Sequence, residues 1–442
     1  MNRRVVSRFE TAIIYFLIVF LMFTLQAFSG TLDPTFGTGG KLTTDFTFST
    51  SSSRTSFGYN IFLQPSGRIV GMGIHRLPGP DGMAPGVAAV GLTSVGDVDT
   101  TYSGGKTLEW DQITSISLSD VQMLPDGRLL RLSQYFSISQ QIAKLIRTNA
   151  DGSVDTGFTP NLSIGSAVPY VPYELSILSS GKILVLLEHP SSPYHLYLIR
   201  LNADGSRDAT FGAGGAKELT LPSYQQQNAI PFGMEILPNG KILIAGGLNY
   251  SLQSNDFEQV YVARLDQNGD IDHSFGRLGI VRQWLGQRTY PTDLVIQPDG
   301  KYLICGAIKN TNRDSFMARF TPRGRPDGML GTAGKVVTDF FVAGDDFFNA
   351  VAISNDGKII VVGQSPLAPS TFSNFLVARY ALGGTLEAHT LTPFTPSSNS
   401  PALNVLVQTD GKILVIGYTK NPNTSVNGNV FAMARYTSIT ND

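Results

Sequence analysis

Apolar positions along the chain come in short unbroken runs, and each run is launched by a turn. The stretches KILVLL from Lys182, KILIAG from Lys241, KIIVVG from Lys358 and KILVIG from Lys412 all follow a turn of the Pro-Asp-Gly type. An apolar run without polar alternation predicts a strand covered on both faces. The turn glycine recurs as Gly67, Gly127, Gly181, Gly240, Gly300, Gly357 and Gly411, at intervals of 60, 54, 59, 60, 57 and 54 residues. One unit is used seven times, so the period says more about architecture than the length of 442 residues does.

Each unit continues in the same order. A polar loop of variable length leads to a third strand ending in an arginine motif, as at Arg200-Leu201, Arg264-Leu265, Arg319-Phe320, Arg379-Tyr380 and Arg435-Tyr436. A second turn carries Asp-Gly or Asn-Gly (Asp151-Gly152, Asp204-Gly205, Asn268-Gly269), the chemistry of a tight hairpin. Then come Asp-x-x-aromatic (Asp155 with Phe158, Asp208 with Phe211, Asp272 with Phe275), a glycine-rich kink and a fourth strand, as in GAGGAKELTL from Gly212. Four antiparallel strands per period, covered on both faces, predict an all-β fold: a seven-bladed β-propeller of four-stranded antiparallel blades. A β-helix coil of about 20–30 residues is too short for this period.

Strands like Gln297–Gly306 (QPDGKYLICG), an Arg-Leu strand and a DGSxDxxFGxGG segment together resemble the delta-60 repeat family of bacterial proteins. The resemblance covers residues 31–442 and implies a propeller, an exported or surface-associated protein, and no catalytic residue. Three units depart from the pattern. The first has Val90-Gly91-Leu92 in place of the arginine, the sixth has Thr390 in place of the aromatic, and the third segment lacks the kink after Phe158. Less regular blades are expected there.

The last unit ends at Asp442 without its Asp-x-x-aromatic segment or fourth strand, while LDPTFGTGGK from Leu32 to Lys41 stands alone near the N-terminus. The expected closure is three C-terminal strands plus one N-terminal strand, residues 31–46 completing the last blade and Asp33 pairing with Arg435. Asp99, Asp155, Asp208, Asp272, Asp327 and Glu387 each stand three residues past a turn glycine, so an Arg–acid pair is expected inside each blade.

Ahead of the repeats, Arg3, Arg4 and Arg8 precede an uncharged run from Ala12 to Leu25, followed by small residues at Ala27 and Ser29. That is the pattern of a secretory signal peptide over residues 1–29, leaving residues 30–442 as a single propeller domain. An uncleaved anchor is the runner-up, since the run is short for a membrane span, and no span is expected in the mature chain. An exported protein in the periplasm, at the cell surface or outside the cell follows from this reading. The formal charge of −1 falls to −3 without the leader, which argues against a nucleic-acid partner. Cys305, the single cysteine, lies inside an apolar strand and reads as a buried small hydrophobe.

Antiparallel strands alternate in direction, so both recurrent turns fall on one face of the ring and the variable loops on the other. The variable face is the expected binding face for a protein or glycan, through loops such as Ile74–Val87, Leu248–Gln259 and Tyr418–Asn429, with aromatics such as Tyr250 and Phe257. Seven residues before the turn glycines stand Asn60, Asp120, Glu174, Gly233, Asp293, Ala350 and Asn404, at the loop-face end of each innermost strand. Of these, Asn60, Asp120, Glu174, Asp293 and Asn404 form a candidate ligand site at the channel mouth. Two function classes follow: a non-enzymatic binding scaffold, or a hydrolase or lyase working through Asp120, Glu174 and Asp293.

Other motifs lose to plain structure. Asp266–Asp272 has its glycine at the fourth place rather than the sixth of a calcium loop. Gly212–Gly215 and Gly334-Lys335 fail phosphate-loop spacing, and the five histidines have no metal-ligand spacing. No catalytic constellation, cofactor or metal is expected, and a monomer is.

Overall fold

Turn chemistry decides where every strand begins. In the computed structural model all seven first-turn glycines sit at φ between +78° and +85°, backbone that L side chains avoid. The structure describes residues 30–46, 54–79, 82–110, 115–136, 141–164, 170–189, 195–219, 221, 228–249, 257–341, 344–367, 371–395, 398–423 and 428–439. The expected leader, residues 1–29, lies outside the described residues.

The seven units form seven blades, numbered here by their first-turn glycine, and no helix occurs among the described residues. Blade 3 is representative. Its strands Val171–Ile177, Ile183–His189, His195–Leu201 and Ala216–Leu219 pair in chain order from the channel outwards. The unalternating second strand feeds two cores at once. Leu184 and Leu186 join the cluster shared with blade 4, and Ile183, Val185 and Leu187 the cluster shared with blade 2. Seven such clusters occupy the seven blade interfaces. Each fully buried Leu or Val contributes roughly 1.5–3 kcal/mol of transfer free energy.

The expected Arg–acid pair is present in every blade. Arg147–Asp155 measures 2.8 Å, Arg200–Asp208 2.6 Å, Arg264–Asp272 2.7 Å, Arg319–Asp327 2.8 Å and Arg379–Glu387 3.1 Å. In blade 1, which lacks the strand arginine, Arg68 after the first turn reaches Asp99 at 2.6 Å instead. The guanidinium also crosses to the next blade. Arg68, Arg147, Arg200 and Arg264 donate to the carbonyls of Ala150, Ala203, Gln267 and Pro322, at 2.6–3.0 Å. Each acceptor lies two residues before the neighbour's second-turn glycine. In five blades an aromatic three residues past the acid lies under the same guanidinium, as with Phe158, 4.3 Å from Arg147; blades 5 and 6 have Leu330 and Thr390 there. The aromatic also packs against the neighbour's glycine: a Cβ on Gly205 would come within 3.0 Å of the Phe158 ring.

Three departures have local causes. Blade 2 shows three strands, Ser115–Met123, Leu129–Phe136 and Gln141–Thr148, among the described residues. Its missing glycine kink is where the fourth strand would start. Blade 4 passes its outer strand into the innermost strand of blade 5 as one continuous strand, Ile280–Ile296. The expected loop Ile74–Val87 is instead largely a hairpin, with strands Ile69–Gly79 and Gly82–Leu92 paired out to Gly79 and Gly82. Phe257, expected in a loop, opens a strand and packs on Gly247, and Tyr250 lies outside the described residues.

The ring closes as the sequence predicts. Lys41–Thr44 pairs antiparallel with the last strand, Asn429–Ile439, in the place of a fourth strand, and Gly30–Leu32 pairs with it further along. Asp33 and Arg435 meet at 2.7 Å with both side chains nearly inaccessible, and Lys412 joins at 3.1 Å. Arg435 then donates to the Ser94 carbonyl of blade 1. Replacing Arg435 by Leu leaves the buried Asp33 carboxylate with Lys412 as its cation and breaks the tie to blade 1, so Arg435→Leu is expected to lose about 3 kcal/mol in urea unfolding. Deleting residues 30–46 exposes the edge of the last strand and is expected to lower the melting temperature sharply and promote association by light scattering. A variant within about 1 kcal/mol of the parent would show that closure does not depend on this pair.

Candidate functional site

The channel is lined by the innermost strands, and each carries the same irregularity. A bulge displaces the register just before Asn60, Asp120, Glu174, Gly233, Asp293, Ala350 and Asn404. The predicted site positions are therefore the residues immediately after a bulge, where strand side chains are re-aimed. All five predicted polar residues are half-buried.

The structure brings three of the five together and adds a fourth. Asp120, Glu174 and Asp293 feel one another's charge, and so does Glu235, which the spacing did not select. Blade 4 has Gly233 at the selected position; two residues later the same strand face returns, and there stands Glu235. The signal was strand alternation, applied one step too early. Asn60 and Asn404 sit on the innermost strands of blades 1 and 7, opposite Met72 and Ile416, and neither figures among the main influences on the acids.

The acids have two kinds of partner. Asp120 accepts hydrogen bonds from the Val121 amide at 2.6 Å and from the Leu175 amide of blade 3 at 3.0 Å. Asp293 repeats this with the Leu294 amide at 2.8 Å and the Val351 amide of blade 6 at 2.9 Å. Both aspartates thus stitch one innermost strand to the next, and both oxygens of each are used as acceptors. Glu174 lies within hydrogen-bonding reach of Asp120. Among the described residues no cation figures in the main influences on these four carboxyls.

Burial, chiefly, raises all four. The Asp293 carboxyl stands at about 7 and that of Glu235 at about 8, the charges of Asp293 and Asp120 adding to the latter. Burial and then the neighbouring carboxylates push Glu174 well above the ordinary range, and Asp120 is raised too. Part of each group's surface is open to the channel, while protein surrounds the rest. The turn-face acids behave oppositely. Burial alone would raise Asp33, but hydrogen bonds from Thr35 and Lys412 and the charge of Arg435 hold it far below the usual range.

At the turn-face end of the channel a cavity of about 460 Å³ opens between blades 2, 3 and 4, lined by Gln122, Pro125, Ser176, Leu178, Met234 and Glu235. Among the described residues no three His, Cys, Asp or Glu converge closely enough to hold a metal ion. One arrangement has the look of a hydrolytic triad. Ser56 and His75 share a hydrogen bond of 2.6 Å, and Asp45, paired with Arg54 at 2.7 Å, lies close by. Ser56 and His75 are fully buried, and burial lowers the imidazole to about 4, so no substrate carbonyl can reach them. Cys305 is buried and burial pushes its thiol up, as a core residue requires.

The two sets of acids set the pH response. A carboxyl raised in the native state keeps a proton that the unfolded chain, near 4, has lost, so stability falls as pH rises through the native values. The lowered acids contribute stability above the ordinary value and lose it as pH falls. Urea unfolding is therefore expected to give higher stability at pH 5 than at pH 8, and Glu235→Gln should flatten that slope. An unchanged slope in the variant would mean that Glu235 is ionised in the native protein.

Comparison with known proteins adds the following. The family model described as "Domain of unknown function (DUF5122) beta-propeller" matches residues 124–158, 178–211, 237–275, 297–328 and 408–438. Among curated proteins none matches the chain. Similar solved structures include an α-L-arabinofuranosidase of Fusarium graminearum, 12% identical, with a TM-score of 0.44 over 74% of this chain and 94% of that one. An α-L-arabinanase of Penicillium chrysogenum is 13% identical, with a TM-score of 0.43 over 72% of this chain and 93% of that one. The β-propeller domain of the Trilobed protease of Pyrococcus furiosus is 8% identical, with a TM-score of 0.41 over 88% of this chain and 97% of that one. None of these likenesses carries an activity over to this chain. The five matched stretches support a β-propeller repeat family of unknown function.

Proposed function

We propose that the protein is an exported, monomeric, non-enzymatic propeller whose variable-loop face binds a protein or a glycan. The observation that carries this reading is how differently the two faces use their charged and aromatic groups. On the turn face the arginines, acids and aromatics are committed to ties between blades. At the loop-face end, aromatic rings and guanidiniums gather at the channel rim instead. Phe57 meets Tyr418 edge-on at 4.7 Å, with Arg76 at 5.9 Å over the Phe57 ring. Across the ring Arg313 lies over Tyr290 at 4.8 Å and Phe347 at 5.3 Å. Phe57, Tyr290 and Phe347 all stand ten residues before a turn glycine, half-buried. Aromatic and arginine side chains with part of their surface free are the usual anchors of recognition surfaces.

The export part of the reading rests on the apolar N-terminal run and is tested by N-terminal sequencing of the secreted protein. The rival reading, a hydrolase or lyase using Asp120, Glu174 and Asp293, has less behind it, since Asp120 and Asp293 spend both oxygens on backbone amides.

Glycan and secreted-protein arrays probed with the purified protein test the binding face. A ligand bound by the parent is expected to be lost in Phe57→Ala with Tyr418→Ala and kept in Glu235→Gln. Loss in Glu235→Gln alone would move recognition to the turn-face cavity and overturn the loop-face reading.

A further inference from the structure

Blade 2 breaks the repeat in its core as well as at its rim. Arg131 stands four residues after Gly127; its counterparts are Gly71, Val185, Ile244, Ile304, Val361 and Val415. Thr148 follows Arg147, where the other blades have Leu92, Leu201, Leu265, Phe320, Tyr380 and Tyr436. Both polar residues project from the same face of the blade 2 sheet towards blade 1, a face otherwise held by Leu129 and Tyr135 packed on Met72 and Val87. Neither substitution serves the repeat, because an arginine at an apolar interface costs more than it returns unless every donor is matched.

The donors are not matched. Arg131 is 3% exposed, and its Nε has no hydrogen-bond partner among the described residues. Among the same residues Thr148, 6% exposed, has none for Oγ1, and Ser133, two residues along the same face as Arg131, has none for Oγ. Buried polar groups in native proteins are paired in the large majority, so three orphans on one sheet face point to something that completes them. The space for it exists. A recess of about 190 Å³ lies between blades 1 and 2, with Arg131, Thr148, Glu109, Tyr102 and Gly152 in its wall. At about 30 Å³ of liquid volume per water, that is room for roughly six waters. It borders the blade that shows no fourth strand among the described residues.

We propose that this recess is a binding site for a small carboxylate-bearing ligand, with Arg131 as its anchor and Glu109 as the chain's own carboxylate holding its place. Glu109 reaches Arg131 through Nη2 alone, at 2.6 Å, and its side chain is 35% exposed at the mouth. Tyr135 accepts from the same Nη2 at 3.2 Å. A guanidinium binds a carboxylate best side-on, through two parallel donors. A ligand approaching through Nε and Nη2 uses the idle donor, displaces Glu109 towards solvent and brings its second oxygen or a hydroxyl within range of Thr148. The planar fork selects a carboxylate over an uncharged polyol, and the small volume selects a short acid or one sugar acid over a polymer.

Isothermal titration of the purified protein with acetate, lactate and glucuronate, at constant ionic strength in chloride, tests this, with inorganic phosphate as the tetrahedral arm. At least one carboxylate is expected to bind with one-to-one stoichiometry. Arg131→Leu should abolish binding while the protein still melts cooperatively, since six other blades have an apolar residue or glycine at this position. Glu109→Gln, which removes the internal competitor, should tighten binding about tenfold, and Thr148→Val and Arg131→Lys should each weaken it about tenfold. If Arg131→Leu does not fold, the Lys and Val variants decide the matter. No carboxylate binding by either the parent or Glu109→Gln, binding of phosphate alone, or carboxylate binding undiminished in the Arg131 and Thr148 variants would each overturn the proposal.

Discussion

One interaction recurs around the ring and the rest of the fold leans on it: a guanidinium shared between the acid of its own blade and a backbone carbonyl of the next. Coulomb attraction alone would contribute little at a wet surface. Here the pair is largely buried, in four blades the acid is further held by a hydroxyl two residues on, and in five the arginine covers an aromatic ring that packs on the neighbour's glycine. Orientation and packing therefore come from the same residues. Because the second acceptor is a main-chain carbonyl, the tie constrains where the next blade sits without asking anything of its side chains. That is why loops can vary freely on the other face.

The channel acids are the complementary case. Four carboxyls stand together where seven strands converge, and two of them bridge neighbouring innermost strands through backbone amides. The inner ring is tied by backbone amides that donate to carboxyls raised by burial, the outer ring by ion pairs. Acidification weakens one set and strengthens the other, so the two rings answer pH with opposite sign. Blade 2 belongs to neither scheme. Its arginine and threonine lie in an apolar interface where the repeat supplies no partner, and the departure from symmetry is itself the sign of a role outside the fold.

Much of this was legible in the residues. Turn glycines, unalternating runs and the DGSxDxxF segment dictate the blade, because a left-handed turn, a two-sided strand and a hairpin each have local chemistry. Ring closure was equally readable, since the segment missing after Arg435 is present near Leu32. The Arg–acid pairing followed from hairpin register, and even blade 1, lacking the strand arginine, kept its acid paired through Arg68. The long hairpin from Ile69 to Leu92 was not foreseen, because its proline- and glycine-rich middle has the composition of a loop.

What the sequence by itself determined is the repeat: strand order, number of blades and the pairs that act across a few residues or a single turn. Only the tertiary structure decided which side chains from separate blades share a space. Glu235 joins Asp120, Glu174 and Asp293 because bulges and strand alternation turn all four into the channel, and no local spacing records the position of a neighbour some sixty residues away. Arg131 and Thr148 break the repeat along the chain, but they share a recess with Glu109 only when blade 2 is laid against blade 1. Local turns and strands are set by short-range sterics and hydrogen bonds, whereas convergence depends on how seven sheets close into a ring.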